Sequence, residues 1–409
     1  MPRVLLFTGK GGVGKTTIAA ASGIEAARRG HRTLIMSSDP AHSLADALDT
    51  ELEPEPVEVA ENLWAQEIDL YYSIKKYWGT LRNYILQVFE WQDVDEILAE
   101  EFAALPGMEE AAAFLWVEQF YEAGDYDLLI IDSAPTGETL NLLSLPQVGR
   151  WWMERIFPVQ RKMAKRLGPM IEAVSDVPIP EDETYENVED LFSKLLKTHE
   201  LISDPEVSSI RLVLNPERMV IQEARRAYTY LQLYDYPVDS VIVNRILPDR
   251  EAGPFFEEYV ERQQNYLEEI EEAFQNLPIF RVPHLGKEAF GQNVLQEIGA
   301  RLYEDTDPTE VFASERSYRL EAVDEGYLLH MHLPFLDPEE LEVMQYGEEL
   351  VLQVHNKRRN FFLPRFLAYY EAQGGQLEDG WLKVRFIETE ETPKNPLADA
   401  DTEDDRGKD

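Results

Sequence analysis

Residues 3–29 read RVLLFTGKGGVGKTTIAAASGIEAARR, and this stretch decides the fold. VLLF is a short apolar run of the kind a buried strand makes, and TIAAASGIEAARR is rich in helix formers. Between them Gly9, Gly14, Lys15 and Thr16 satisfy G-x-x-x-x-G-K-[ST], in the strand, loop and helix setting that a phosphate-binding loop requires. Gly9, Gly11, Gly12 and Gly14 let backbone N–H groups turn toward phosphate oxygens, and Val13 and Thr17 complete the nucleotide-binding loop. Lys15 is expected to pair the β and γ phosphates, and the Thr16 hydroxyl to ligate Mg²⁺ at the helix N-terminus. Gly30 then ends the helix.

Two more apolar runs end in an aspartate. RTLIMSSDPAHSL delivers Asp39 and DLLIIDSAPTGETL delivers Asp132, each at the carboxyl end of a strand, the edge where open α/β sheets bind ligands. Asp132 reads as a carboxylate that holds Mg²⁺ through water, and Asp39 as the group that orients or activates the attacking water, itself within water-mediated reach of the metal. One aspartate after a strand is also a common helix N-cap; two of them beside a phosphate loop point to chemistry. The expected fold is α/β: a doubly wound, mostly parallel sheet with helical insertions.

The loop, DPAHSL (residues 39–44), PGMEEA (106–111) and DSAPTGETL (132–140) together resemble the deviant-Walker ATPases of the arsenical pump and tail-anchored protein targeting family. The likeness covers about residues 1–305, including NPERMVIQEARR (215–226) and VIVNRI (241–246). It implies that Asn244 reads adenine and that RVPHLGKE (281–288), with Pro283, lies over the base. It also gives the second loop lysine, Lys10, a role: crossing a two-fold interface to the phosphates held by the other subunit of a homodimer. There it would act with Lys15 and Asp39 in catalysis, offsetting charge that develops at the γ phosphate. The alternative is that Lys10 only adds positive potential to its own loop. Glu138 and Asn141 depart from the family's DTAPTGHTLR pattern, at contacts that relay the nucleotide state. The loop is shared with partitioning ATPases, against which DPAHSL argues.

Composition narrows the partners. With 78 acidic against 38 basic residues the formal charge is −40, a field that repels phosphate backbones and anionic lipid, so no nucleic-acid partner is expected. No cysteine occurs in the 409 residues, which excludes disulfides, a zinc-clasping CxxC and thiolate capture of arsenite. No uncharged apolar run nears the roughly 18 residues of a membrane span, so a cytoplasmic protein without stable membrane insertion is expected. His42, His284, His330 and His332 form no credible metal set; the last two share a strand face, where solvent exposure is expected.

Two helical insertions are expected, at about 70–123 and 147–203. The first carries Tyr71, Tyr72, Tyr77 and Trp78; in the second, Trp152, Ile156, Met163, Leu167 and Met170 recur at helical spacing. Such stripes serve as core or dimer packing, and the resemblance makes them the groove that receives hydrophobic or tail-anchored client proteins.

A polar linker is expected over 306–317, and alternation then takes over. Paired strands separated by short turns across 318–388 make an antiparallel β-sandwich pattern, which resembles the α-crystallin domain of small heat-shock proteins. The acidic tail, 389–409, has no aromatic residue and is expected to be disordered. The sequence thus reads as a homodimeric ATPase that uses ATP and Mg²⁺ to open and close a hydrophobic groove for clients. The alternative is a nucleotide-regulated holdase not dedicated to tail-anchored proteins.

Overall fold

A computed structural model describes residues 2–39, 43–77, 108–133, 157–159, 161–162, 182–248, 257–314, 316–324, 326–347, 349–355 and 357–389. The apolar runs near the N-terminus become strands of one sheet. β1 (Arg3–Thr8), β2 (Thr33–Ser37), β3 (Val57–Ala60), β4 (Leu63–Glu67), β5 (Leu128–Asp132), β6 (Ser208–Leu214), β7 (Val238–Ile246) and β8 (Ile279–Pro283) lie in the order β3-β4-β2-β5-β1-β6-β7-β8. All neighbours run parallel except β3 against β4. β2, β5 and β6 are buried along their whole length, which explains the continuous apolar runs 34–36 and 128–131 in the first two, while β6 buries Ser208, Ser209 and Arg211 among its apolar residues.

The chain passes from β1 through α1 (Lys15–Arg28) to β2 with β5 lying between the two strands, and it later returns to the far side of β1 as β6. That reversal makes a crevice at the carboxyl ends of β1 and its neighbours. Register levels the strand ends: Asp132 stands opposite Phe7 of β1 and Ser37 of β2. α8 (Gln292–Tyr303) closes one face over α1, where the Ser22 and Tyr303 hydroxyls lie 2.7 Å apart. Tyr303 also accepts from Arg211 Nη1 at 2.9 Å, and the fully buried Arg211 pairs with Asp239. Charge and hydrogen bonds are thus satisfied together, the condition for tolerating a buried ion.

The described parts of the first insertion are helices α3 (Leu70–Tyr77) and α4 (Met108–Ala123), with α5 (Asp182–Ser203) from the second. Trp116 of α4 is fully buried, stacks on Tyr72 and Phe120, and donates its indole N–H to Ser73 Oγ at 3.0 Å. The aromatic run of α3 therefore serves core packing in part, while Tyr71 stays 65% exposed. Trp152, Ile156, Met163, Leu167 and Met170 fall outside the described residues, as do Glu138, Asn141 and the acidic tail from 390 onward. No helix among the described residues is long and apolar enough to cross a membrane.

Two more helices follow, α6 (Arg218–Leu233) and α7 (Glu257–Ala273). The described chain divides into two compact units, one up to Ala224 plus Pro237–Ser314, the other Arg225–Tyr236 plus the residues from 316 on. The second unit holds two antiparallel sheets. β9 (Tyr318–Val323), β10 (Gly326–His332), β14 (Tyr370–Glu378) and β15 (Trp381–Glu388) form one, in the order β14-β15-β10-β9. β11 (Leu341–Tyr346), β12 (Glu349–Val354) and β13 (Lys357–Phe362) form the other. Their core gathers Leu233, Met331, Leu352, Leu382, Val384 and Phe386.

The expectation that His330 and His332 are exposed is corrected. Both are half-buried: His330 Nε2 lies 3.5 Å from Glu321 Oε2, and the His332 ring lies 4.8 Å from that of Trp381. The covering ring comes from β15, far along the chain, so no local pattern announces it.

Candidate nucleotide site

Two glycines shape the loop after β1. A side chain at Gly9 would put its Cβ 2.1 Å from the Val213 carbonyl oxygen, so only glycine lets the loop leave β1 this close to β6. Gly14 has φ 94°, in the left-handed region, and a Cβ there would stand 2.5 Å from Asn244 Nδ2. Gly14 caps α1 without a side-chain hydrogen bond to the first turn, which leaves that turn's N–H groups for an anion.

Gly9 and Val13 are buried, whereas Gly11 and Gly12 are exposed. Lys15 is 7% exposed, and burial lowers the pKa of its ammonium against the opposing pull of Asp132, Asp39 and Glu223. The Thr16 hydroxyl lies 3.1 Å from Ser43 Oγ of α2 (Ser43–Leu48). Thr16, Thr17, Lys15, Gly12 and Gly14 line a cavity of 370 Å³ together with Asp39, Asp46 and Arg245.

Asp132 is fully buried and does not line that cavity. Ser37 Oγ donates to its Oδ2 at 3.3 Å, and the Asp39 N–H donates to the same Ser37 Oγ at 3.3 Å, so one serine couples the two aspartates. Burial pushes the Asp132 carboxyl up to about 6, opposed chiefly by the Thr16 hydroxyl and the Lys15 ammonium. Among the described residues its Oδ1 has no hydrogen-bond partner. A buried carboxylate with an unsatisfied oxygen, next to a hydroxyl, suits a hard divalent cation such as Mg²⁺, which takes few protein ligands and keeps its water.

Asn244 is 6% exposed, near the end of β7. Its Nδ2 donates to Val13 O at 2.8 Å and its Oδ1 accepts from the Arg245 N–H at 2.9 Å, so the amide ties β7 to the loop. Asn244, Arg245, Val282, Pro283 and residues 284–289 line a second cavity of 610 Å³, large enough for a base and ribose. The two cavities share Thr17, Arg245 and Ala289 as a common wall. Lys10 stands apart from both linings, with its Nζ 3.7 Å from Glu223 Oε2 of α6.

Of the loop residues singled out from the sequence, Gly12, Gly14, Lys15, Thr16 and Thr17 line these cavities with Asp39, Asn244 and Pro283, whereas Gly9, Lys10, Gly11, Val13 and Asp132 line neither. Ser37, Ser43, Asp46, Glu223 and Arg245 are additions that sequence reading missed. Ser37 lies two residues before Asp39 and Arg245 adjoins Asn244, whereas Glu223 is the single acidic residue of the amphipathic helix α6 and nothing in the local sequence ties it to the loop.

Residues 2–304 match the family model described as anion-transporting ATPase, and residues 324–386 match one described as an HSP20-like domain found in ArsA. The chain is 37% identical over 386 residues to "Putative arsenical pump-driving ATPase 1" of Aquifex aeolicus, an alignment covering 92% of this chain and 98% of the relative. It is 38% identical over 387 residues to "Putative arsenical pump-driving ATPase" of Chlorobaculum tepidum, covering 94% and 96%. A second Aquifex aeolicus protein, "Putative arsenical pump-driving ATPase 2", is 32% identical over 305 residues, which span 97% of that relative and 72% of this chain.

Proposed function

The chain belongs to the anion-transporting ATPase family and is an ATP-hydrolysing enzyme, and from that premise we propose that it works as a homodimer whose nucleotide state opens and closes a hydrophobic client groove. The observation that carries the nucleotide part is the levelled strand ends, which gather Lys15, Thr16, Asp39 and Asp132 beside a cavity that shares a wall with a base-sized one.

In this reading the N–H groups of the loop and the first turn of α1 bind phosphate oxygens, and Lys15 neutralises the β and γ phosphates. Mg²⁺, when bound, offsets phosphate charge, and Thr16 with Asp132 and Asp39, the aspartates through water, are the residues that would hold it. Asp39 orients the attacking water and accepts its proton. Lys10 of each copy reaches the phosphates of the other, so turnover needs the closed dimer. Asn244 and Pro283 hold the adenine.

In this reading the two helical insertions together build the groove, Trp152, Ile156, Met163, Leu167 and Met170 of the second contribute to it, and its clients are hydrophobic, among them tail-anchored, membrane proteins. The relatives are named for an arsenical pump; this chain has no cysteine to capture arsenite, which favours an apolar client over a metalloid. The HSP20-like match favours a second reading, a nucleotide-regulated holdase for unrelated unfolding proteins.

The test uses the full chain. Mg²⁺-dependent release of phosphate from ATP, abolished in Lys15→Ala, supports the nucleotide part; turnover that survives in that variant removes it. For the client part, the slow-hydrolysing Asp39→Asn variant is incubated with a purified protein bearing one C-terminal apolar helix and, separately, with a heat-aggregating soluble enzyme. An ATP-dependent complex with the first supports targeting, and suppression of aggregation of the second alone supports the holdase.

A further inference from the structure

Arg245 is a cation of this crevice to which the nucleotide reading gives no role. It follows Asn244 near the end of β7 with φ 57°, a left-handed conformation that costs an L-residue about 1–2 kcal/mol and falls to glycine or asparagine by preference. The chain is held there from both sides. Its N–H donates to Asn244 Oδ1 at 2.9 Å, and the buried Gln263 clamps the N–H and carbonyl of Leu247 at 2.8 and 3.0 Å. A turn fixed this firmly, carrying a long cation, determines where the cation lies. Arg245 Nη1 donates to Gly12 O at 2.9 Å, which lays the guanidinium along the loop, and the residue is exposed.

We propose that Arg245 is a phosphate-binding residue that contacts the α and β phosphates of the bound nucleotide, an inference that rests on the nucleotide reading above. A nucleotide with its terminal phosphates over Lys15 and Thr16 and its base between Asn244 and Pro283 must pass the wall shared by the two cavities. Arg245 is the charged residue in that wall. Charge balance agrees. The cations lining the phosphate cavity are Lys15 and Arg245, facing Asp39 and Asp46. A triphosphate with one divalent cation keeps about two negative charges, which a single lysine does not neutralise. Lys10 is engaged with Glu223 in the lone chain. A guanidinium has five N–H donors, so one bond to Gly12 O leaves others for phosphate oxygens.

The competing role is a tether: Arg245 merely holds the loop through Gly12. Arg245→Gln keeps an amide donor for that carbonyl but loses the charge, and Arg245→Lys keeps the charge. ADP and ATP binding to the full chain is measured by calorimetry with Mg²⁺ at low and high salt, with turnover across ATP concentrations alongside. The expected result is a loss of roughly 10-fold or more in affinity for both ADP and ATP in Arg245→Gln, a shallower salt dependence, and recovery of most of the loss in Arg245→Lys. The KM for ATP should rise in step with the lost affinity, as when a contact made to the bound ground state is removed. ADP affinity unchanged in Arg245→Gln overturns the proposal in favour of the tether, and so does a loss confined to ATP, which moves the contact to the γ phosphate. Failure of the unmutated chain to bind either nucleotide removes the underlying reading instead.

Discussion

Lys10 Nζ lies 3.7 Å from Glu223 Oε2 of the same chain, with both side chains about 30% exposed. A pair this open to water is worth about 0–1 kcal/mol, enough to hold the lysine in a lone protomer and weak enough to release it to a triphosphate. If Lys10 serves the partner's phosphates, Glu223 competes for it. Glu223→Gln should then raise basal ATP turnover by up to about 5-fold, the factor equivalent to roughly 1 kcal/mol, most visibly at low protein concentration where dimers are scarce. Steady-state rates across a protein dilution series check this. Rates that match the unmutated chain at every concentration would show that the pair restrains nothing.

The Asp132 carboxyl gives a pH signature in the metal-free protein. Burial raises it from 3.8 to about 6, so between those values the folded chain holds a proton that the unfolded chain has lost. Stability therefore falls as pH rises through that window, by an amount on the order of 3 kcal/mol once Asp132 is ionised. Asp132→Asn does not titrate. In chelator and without nucleotide, its melting temperature should rise relative to the unmutated chain as pH goes from about 5 to 7.5, while Mg²⁺-dependent turnover is lost. A constant difference in melting temperature across that range would contradict the assignment.

How much of this was legible beforehand follows from sequence distance. The phosphate loop, Asp39 and Asp132 are read from local patterns, a spaced glycine motif and apolar runs that stop at an aspartate, and the parallel sheet follows from those runs. The antiparallel sheets were equally legible, because alternation and short turns are local. Asn244 to Val13 and Arg245 to Gly12 join residues 231 and 233 positions apart, and only the folded sheet brings them together. The clustering of Arg225–Tyr236 with the second unit had no signal, because an amphipathic helix reads alike whichever apolar surface it meets.

Within that second unit, the buried Arg359 donates from Nη1 to Leu233 O, and its guanidinium carbon lies 3.6 Å from the centroid of the Phe361 ring. Burial lowers the guanidinium to about 10, offset by Asp235, Tyr318, Tyr236 and Tyr234. Arg359→Met keeps much of the volume but orphans the Leu233 carbonyl and removes one of the two cations, with Arg316, that face Asp235, so a loss of about 2–4 kcal/mol is expected. Hydrogen exchange should quicken in β10, β12 and β13, with ADP affinity unchanged. A shift in ADP affinity instead would mean that Arg359 reaches the nucleotide site.

The sharpest division of labour is expected at Asp39. Its side chain lines the phosphate cavity two residues beyond β2, and its own N–H donates to the serine that also donates to Asp132. Asp39→Asn is nearly isosteric and keeps the backbone bond to Ser37, so the cavity should survive. Loss of a negative charge facing a polyanion should leave ATP affinity equal or tighter. What the amide cannot do is take a proton from water, and losing a general base costs about 10²–10⁴-fold in rate. Asp39→Asn should therefore bind ATP at least as well as the unmutated chain, turn over at least about 100-fold more slowly, and accumulate as an ATP-bound dimer in analytical ultracentrifugation. Slow turnover with weakened ATP binding would instead make Asp39 chiefly a holder of the metal–nucleotide complex. Unchanged turnover would leave the water to another group altogether.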